Sequence, residues 1–147
     1  MVELNLPEHS FNTRPNGDNN EIFCAFRNKW VRLSPEEWVR QHIAMTLVKQ
    51  QNYPKGRTKL EHFLTIGSNR YLADIVIFDK NMRPEVIVEC KEPNKKLSTD
   101  TFLQIAIYNY ALQNSKYLIL TNGLTHYCLE NTNGKYTFVD IFPIYKL

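Results

Sequence analysis

An α+β fold is predicted, with a mixed central β-sheet flanked by helices and the order α-β-β-β-α-β followed by further C-terminal strands. Three observations carry this expectation. Two helical segments, opening at Ser34-Pro35 and at Ser98 to Asp100, bracket three strand-like runs. Those runs are rich in Val and Ile, whose β-branched side chains fit a pleated, half-buried surface. After the second helix, short apolar runs alternate with Asn-Gly turn chemistry, as strands and hairpins do. With 147 residues, 43% hydrophobic and 22% charged, the chain is expected to form one soluble domain over residues 1–147, its core from about Glu21 to Tyr127.

The elements follow in order. Asn12 to Asn20 is dense in Asn, Gly, Pro and Asp and reads as an opening loop. Glu21 to Leu33, with Ile22, Phe23, Phe26, Trp30, Val31 and Leu33, suits a hairpin. Ser34 and Pro35 form a cap and first-turn pair, because Ser supplies an acceptor and Pro lacks a donor that would be orphaned there. The first helix is expected from Pro35 to about Gln51. Strands follow at Leu60 to Ile66, Tyr71 to Phe78 and Glu85 to Lys91, the last two separated by turn residues Asp79 to Pro84. The second helix should reach about Asn114, and strands are expected at Tyr117 to Thr121, Thr125 to Leu129 and Tyr136 to Ile141.

Composition bounds the function classes. A formal charge of +3 permits nucleic acid as a partner without arguing for it. Cys24, Cys90 and Cys128 match neither a disulfide framework nor a paired zinc motif, which points to a reducing, cytoplasmic location. No run is long and apolar enough for a membrane span or a targeting segment. His42, His62 and His126 lack metal-ligand spacing and read as structural or surface residues.

The chemistry concentrates at the end of the third strand. Val86-Ile87-Val88 reads as buried core, yet Glu89 and Lys91 follow on one face with Cys90 on the other. Buried charges need partners, a metal or a cleft. If the preceding turn is centred between Asn81 and Met82, antiparallel partners have numbers summing to 163 and Asp74 falls opposite Glu89. Cross-strand Cβ atoms then lie about 4.5–5.5 Å apart, so two ionised carboxylates would repel unless a cation lay between them. Mg²⁺ or Mn²⁺ suits such oxygen ligands. The plainer alternative is a Glu89-Lys91 ion pair at a strand end, with Asp74 paired to Arg70.

Tyr71-Leu72-Ala73-Asp74-Ile75-Val76 with Val88-Glu89-Cys90-Lys91 resembles the PD-(D/E)XK nuclease signature, with Ala73 where the family name has proline. Pro35 to Gln41, Arg70 to Asp74, Glu89 to Pro93, Gln104 to Tyr108 and Thr121-Asn122-Gly123 further resemble the N-terminal nuclease domain of type I restriction enzyme R subunits, in a freestanding form. The resemblance implies a restriction-endonuclease-like core and a Mg²⁺-dependent deoxyribonuclease acting as an endonuclease. It implies catalytic Asp74, Glu89 and Lys91, and metal held by Asp74, Glu89 and the backbone carbonyl of Cys90. That metal would polarise the phosphate and lower the pKa of water, while Lys91 orients the water or stabilises charge on the phosphate.

Gln104 and Tyr108 match the family's Gln-x-x-x-Tyr motif and share a helical face, where they would support the site or hold DNA backbone. The superfamily often adds a glutamate from the first helix. Helical geometry favours Glu36, placed near Ile43 and Leu47, over Glu37, although acids in a first turn also complement the helix dipole. Lys55, Arg57, Arg70, Lys95 and Lys96 are candidate phosphate contacts or ordinary surface charge. The expected partners are DNA and a helicase or specificity subunit. Two alternatives remain open, a non-cleaving DNA-binding module and an accessory subunit of a restriction or repair complex.

Overall fold

A computed structural model describes all residues from Met1 to Leu147. Strands β1 (Thr13–Asn16), β2 (Asn19–Cys24) and β3 (Lys29–Arg32) form a small antiparallel sheet in that order. The expected opening loop therefore holds a strand and a tight turn, with Gly17 at φ 59°. Its polar residues misled because they pair with each other: Glu21 accepts from Arg14 Nε at 2.7 Å and from Asn16 Nδ2 at 3.0 Å. Cross-strand polar pairs hold this hairpin where apolar ones are lacking.

Helix α1 (Pro35–Lys49) starts where Ser34 Oγ accepts the Glu37 N–H at 3.1 Å. It stops two residues short of the expected Gln51. There the Gln50 and Gln51 N–H groups both donate to the Thr46 carbonyl, and Asn52 turns the chain at φ 65°.

The main sheet has six strands in chain order: β4 (Thr58–Ile66), β5 (Asn69–Phe78), β6 (Pro84–Cys90), β7 (Tyr117–Thr121), β8 (His126–Thr132) and β9 (Lys135–Val139). Every neighbouring pair is antiparallel except β6 and β7, which run parallel and are joined across the sheet by helix α2 (Thr99–Ala111). This is the mixed α+β architecture the sequence predicts. No helix is long and apolar enough to cross a membrane.

Strand alternation sorts the core into two sides. Val39, Ile43, Ala44 and Leu47 of α1 pack with Ile75, Ile77, Val86, Val88, Ile119 and Cys24 on one side of the sheet. Ile105 of α2 packs with Ile87, Leu118 and Leu120 on the other.

One local irregularity matters for the site. The β4–β5 register runs without slip from Leu60↔Ile75 to His62↔Ala73, but Glu61 between them adopts φ 51°. Across it the faces exchange: Leu60 lies in the α1-side core, whereas Leu64 and Ala73 pack against Tyr108 of α2. The distal half of the hairpin is thus covered by α2 on one face and left bare on the other.

The N-terminal segment closes over the turn after β7, with the Asn5 N–H donating to the Gly123 carbonyl at 2.8 Å. Gly123 has φ 85°, and a Cβ there would meet Leu4 Cδ2 at 2.7 Å and Val39 Cγ2 at 3.0 Å. Gly123→Ala is accordingly expected to lower stability by about 1–3 kcal/mol, from backbone strain and overpacking together. Urea denaturation, read as a lower midpoint with unchanged slope, checks this.

Candidate active site

The β5–β6 ladder pairs Ile75↔Val88, Val76↔Ile87 and Ile77↔Val86, the register whose numbers sum to 163. A bulge at Ile77/Phe78 shifts it only near the turn, where Asp79 Oδ1 accepts the Asn81 and Arg83 N–H groups. The ladder stops one pair before Asp74 and Glu89. Beyond Ile75 the Asp74 carboxylate takes over as acceptor, its Oδ2 receiving the Cys90 N–H at 2.8 Å. On the other edge of β6 the Lys91 N–H donates to the Thr121 carbonyl at 2.9 Å. Successive residues of a strand address opposite neighbours, so the Cys90 backbone faces Asp74.

Asp74 and Glu89 are both buried, 6% and 3% exposed. Burial first, and then the charge of Asp74, push the Glu89 carboxyl up to about 9, against a smaller downward pull from Lys91. Lys91 Nζ lies 3.5 Å from Glu89 Oε1 and 3.2 Å from Gln104 Oε1, and the Gln104 amide in turn donates to Tyr108 Oη at 3.1 Å. Gln104 and Tyr108 sit one turn apart on α2, so the helix fixes the lysine through an amide that is itself fixed.

The cation that the paired carboxylates need is also present within the chain. Arg40 of α1 donates to Asp74 Oδ1 from Nε at 2.9 Å and from Nη2 at 2.6 Å. The same guanidinium reaches Glu36 Oε1 at 3.0 Å, Glu61 Oε1 at 3.7 Å, and Glu37. Arg27, from the β2–β3 connection, then binds Glu37 and, at 2.9 Å, Glu61 Oε2. Burial disfavours the Arg40 charge, but Asp74 and Glu37 overcome it and raise its pKa. Glu61 reaches this cluster from the residue with the left-handed backbone.

The sequence reading missed Arg27 and Arg40, gave the first-strand acid Glu61 no role and set Glu37 below Glu36. Arg40 was detectable as the i+4 partner of Glu36 and the i+3 partner of Glu37, whereas nothing local marks Arg27. The expected orientation of the two helix acids is corrected: Glu37 is the buried one and Glu36 is half-exposed at the rim. Hydropathy misplaced them because α1 buries polar residues too, and two arginines neutralise Glu37 inside. Glu36 still senses the site, its pKa raised by burial and then by Asp74.

Two other expected residues lie elsewhere. Arg70 does not reach the triad; its guanidinium sits 5.1 Å from the Phe63 ring centroid. Arg57 binds the Phe78 carbonyl and the Tyr145 hydroxyl, at the far end of β5 from Asp74. Lys95 and Lys96 lie on the exposed loop after Lys91, and Asn122 steadies that loop by donating to the Lys95 carbonyl at 2.7 Å.

The donor set fits a hard divalent cation. Glu89 Oε2 is buried with no hydrogen-bond partner, beside a second carboxylate that the Cys90 backbone faces. No three His, Cys, Asp or Glu side chains converge on one point, and a small ion such as Mg²⁺ takes one or two protein carboxylates and fills its remaining positions with water and phosphate.

The family model for the type I restriction enzyme R protein N terminus (HSDR_N) matches residues 35–143. Among solved structures, a fragment of an HsdR subunit of a type I restriction enzyme from Vibrio vulnificus YJ016 aligns with a TM-score of 0.58 at 18% identity over 76% of this chain. The type IIG restriction endonuclease BpuSI aligns with a TM-score of 0.51 at 21% identity over 72%. The chain spans 24% and 13% of those two proteins' lengths, and at these identities the likeness concerns the fold. No curated protein sequence matches.

A buried glutamate with a raised pKa has a stability signature. Its proton is held more tightly in the folded chain, so its contribution to stability is full below the unfolded value near 4.5 and is lost as pH rises toward about 9. Glu89→Gln abolishes that loss. In metal-free buffer the variant is expected to gain on the parent between pH 5 and pH 9, by on the order of a few kcal/mol at the upper end. Thermal melting of both proteins across that range measures the difference; parallel pH profiles would contradict it.

Proposed function

The chain belongs to the family of type I restriction enzyme R protein N termini, and from that premise we propose that it is a metal-dependent deoxyribonuclease of the PD-(D/E)XK kind, acting as an endonuclease. The observation that carries the proposal is the meeting of Asp74, the unpartnered Glu89 Oε2 and a lysine tethered through Gln104. Glu85 Oε2 is also unpartnered elsewhere in the chain; what sets Glu89 apart is the second carboxylate and the tethered lysine beside it.

Asp74, Glu89 and the Cys90 carbonyl are the groups that would hold Mg²⁺ or Mn²⁺, which when bound supplies charge stabilisation at the phosphate and a more acidic water. Lys91 acts from the side, its ammonium placed to orient the attacking water and to balance charge building on the phosphate oxygens. Gln104, itself held by Tyr108, shares Lys91 with Glu89 and so limits the lysine's hold on that carboxylate. Arg40 fixes the Asp74 carboxylate and offsets its charge, and Glu36 at the rim is available to take a proton. Lys96, and Lys95 from its exposed pair with Glu92, are placed to meet backbone phosphates, and a helicase or specificity subunit is the expected partner in a larger restriction complex.

A second reading, a DNA-binding module or accessory subunit that does not cleave, is favoured by one observation: Arg40 already engages Asp74 Oδ1 twice. A guanidinium that never yields would leave Asp74 a poor metal ligand.

Paired variants decide between the readings. Asp74→Ala removes a negative ligand, so Mn²⁺ affinity and cleavage should both fall. Lys91→Ala removes a competing positive charge, so Mn²⁺ affinity should hold or improve while cleavage drops by at least about a hundredfold. Calorimetric Mn²⁺ titration beside a plasmid-nicking assay reads both, and a Lys91→Ala protein that cuts at the parent rate would overturn the mechanism. DNA affinity should also fall steeply between about 50 and 200 mM salt, through loss of counterion release. Fluorescence anisotropy across that range tests it, and a flat profile speaks for a protein partner instead.

A further inference from the structure

The bare face of the distal β4–β5 hairpin carries residues unlike those of an ordinary solvated strand face. Phe63 and Leu72 form a direct cross-strand pair and are 62% and 43% exposed. Beside them Arg70, paired across the strands with Thr65, lays its guanidinium over the Phe63 ring at 5.1 Å. A solvent-facing antiparallel face normally alternates to polar residues, and Phe and Leu standing together in water mark a contact surface.

The surface is continuous with the candidate active site. Leu72 lies two residues from Asp74 along β5, about 7 Å away, with Arg70 a similar step further. Arg40 of α1 meets Asp74, and the exposed apolar pair begins two residues further along β5. Its chemistry is that of a stacking platform: an aromatic ring for a base face with an aliphatic side chain beside it, and an arginine for phosphate.

Resting on the nuclease reading, we propose that Phe63, Leu72 and Arg70 form a base-stacking ledge that selects DNA whose bases beside the scissile phosphate are unpaired, as in single strands, forks or frayed ends. Within a duplex both faces of each base are already stacked, so the ledge adds nothing there. In a single strand an open base face rests on Phe63 while the adjoining backbone reaches Asp74.

The test compares a labelled oligothymidylate with a blunt duplex of equal length by fluorescence anisotropy in EDTA, using the full chain. Phe63→Ala is expected to weaken single-strand binding about 5- to 100-fold, the range of one base stack, and duplex binding by less than twofold. Phe63→Trp should restore the single-strand affinity. Phe63 is exposed, so melting temperatures should stay close to the parent's. Equal losses on both DNAs, or unchanged single-strand binding in a parent that does bind DNA, would overturn the ledge while leaving the nuclease reading standing. A parent that binds no nucleic acid overturns both. A dimer in sedimentation that Phe63→Ala dissolves would assign the ledge to a second copy of the chain and refute the proposal.

Discussion

Everything around the site depends on the compensation of buried carboxylates by Arg40. Asp74 and Glu37 are buried and would be costly to ionise there alone, and Glu61, its side chain 38% exposed, reaches them from a third element. One guanidinium touches all three and Glu36 as well. Its fork geometry lets it bridge several acids at once, which an ammonium on a flexible stem does less well. Arg27 repeats the arrangement one step outward, between Glu37 and Glu61. The charge chain therefore ties the small sheet, α1, β4 and β5 together at the place where the main sheet splays open.

Against this compensated side stands an uncompensated one. Glu89 faces α2, where Lys91 is its one cationic contact at 3.5 Å and its second oxygen is unpartnered. The two carboxylates thus differ in environment although they adjoin: Asp74 accepts three hydrogen bonds, whereas burial and the charge of Asp74 raise the pKa of Glu89. That asymmetry separates two adjoining carboxylates by environment alone, one held by an arginine of α1 and a backbone amide, the other by a lysine and with one oxygen unpartnered.

Much of this was legible in the sequence because it rests on short-range rules. Turn chemistry at Asp79 to Pro84 set the register through Ile75↔Val88, and capping residues located both helix starts. The tripeptide Glu89-Cys90-Lys91 stood out because it interrupts a buried run. What escaped depends on tertiary context. Arg27 meets Glu37 and Glu61 only after the first sheet docks, and no propensity scale marks Glu61, a non-glycine residue in a strand, for a left-handed backbone. The orientation of Glu36 and Glu37 was inverted because the burial of α1 follows charge pairing as well as hydropathy.

The hydrogen bond from the Cys90 N–H to Asp74 Oδ2 makes a side chain stand in for a strand. Whatever draws Asp74 away frees the Cys90 N–H, while β6 stays paired with β7 through Cys90↔Thr121 and the Lys91 N–H. The Cys90 amide is in effect a gauge set in the wall of the site: its rate of hydrogen exchange reports the hold of Asp74 on the main chain, residue by residue and without any substrate being turned over.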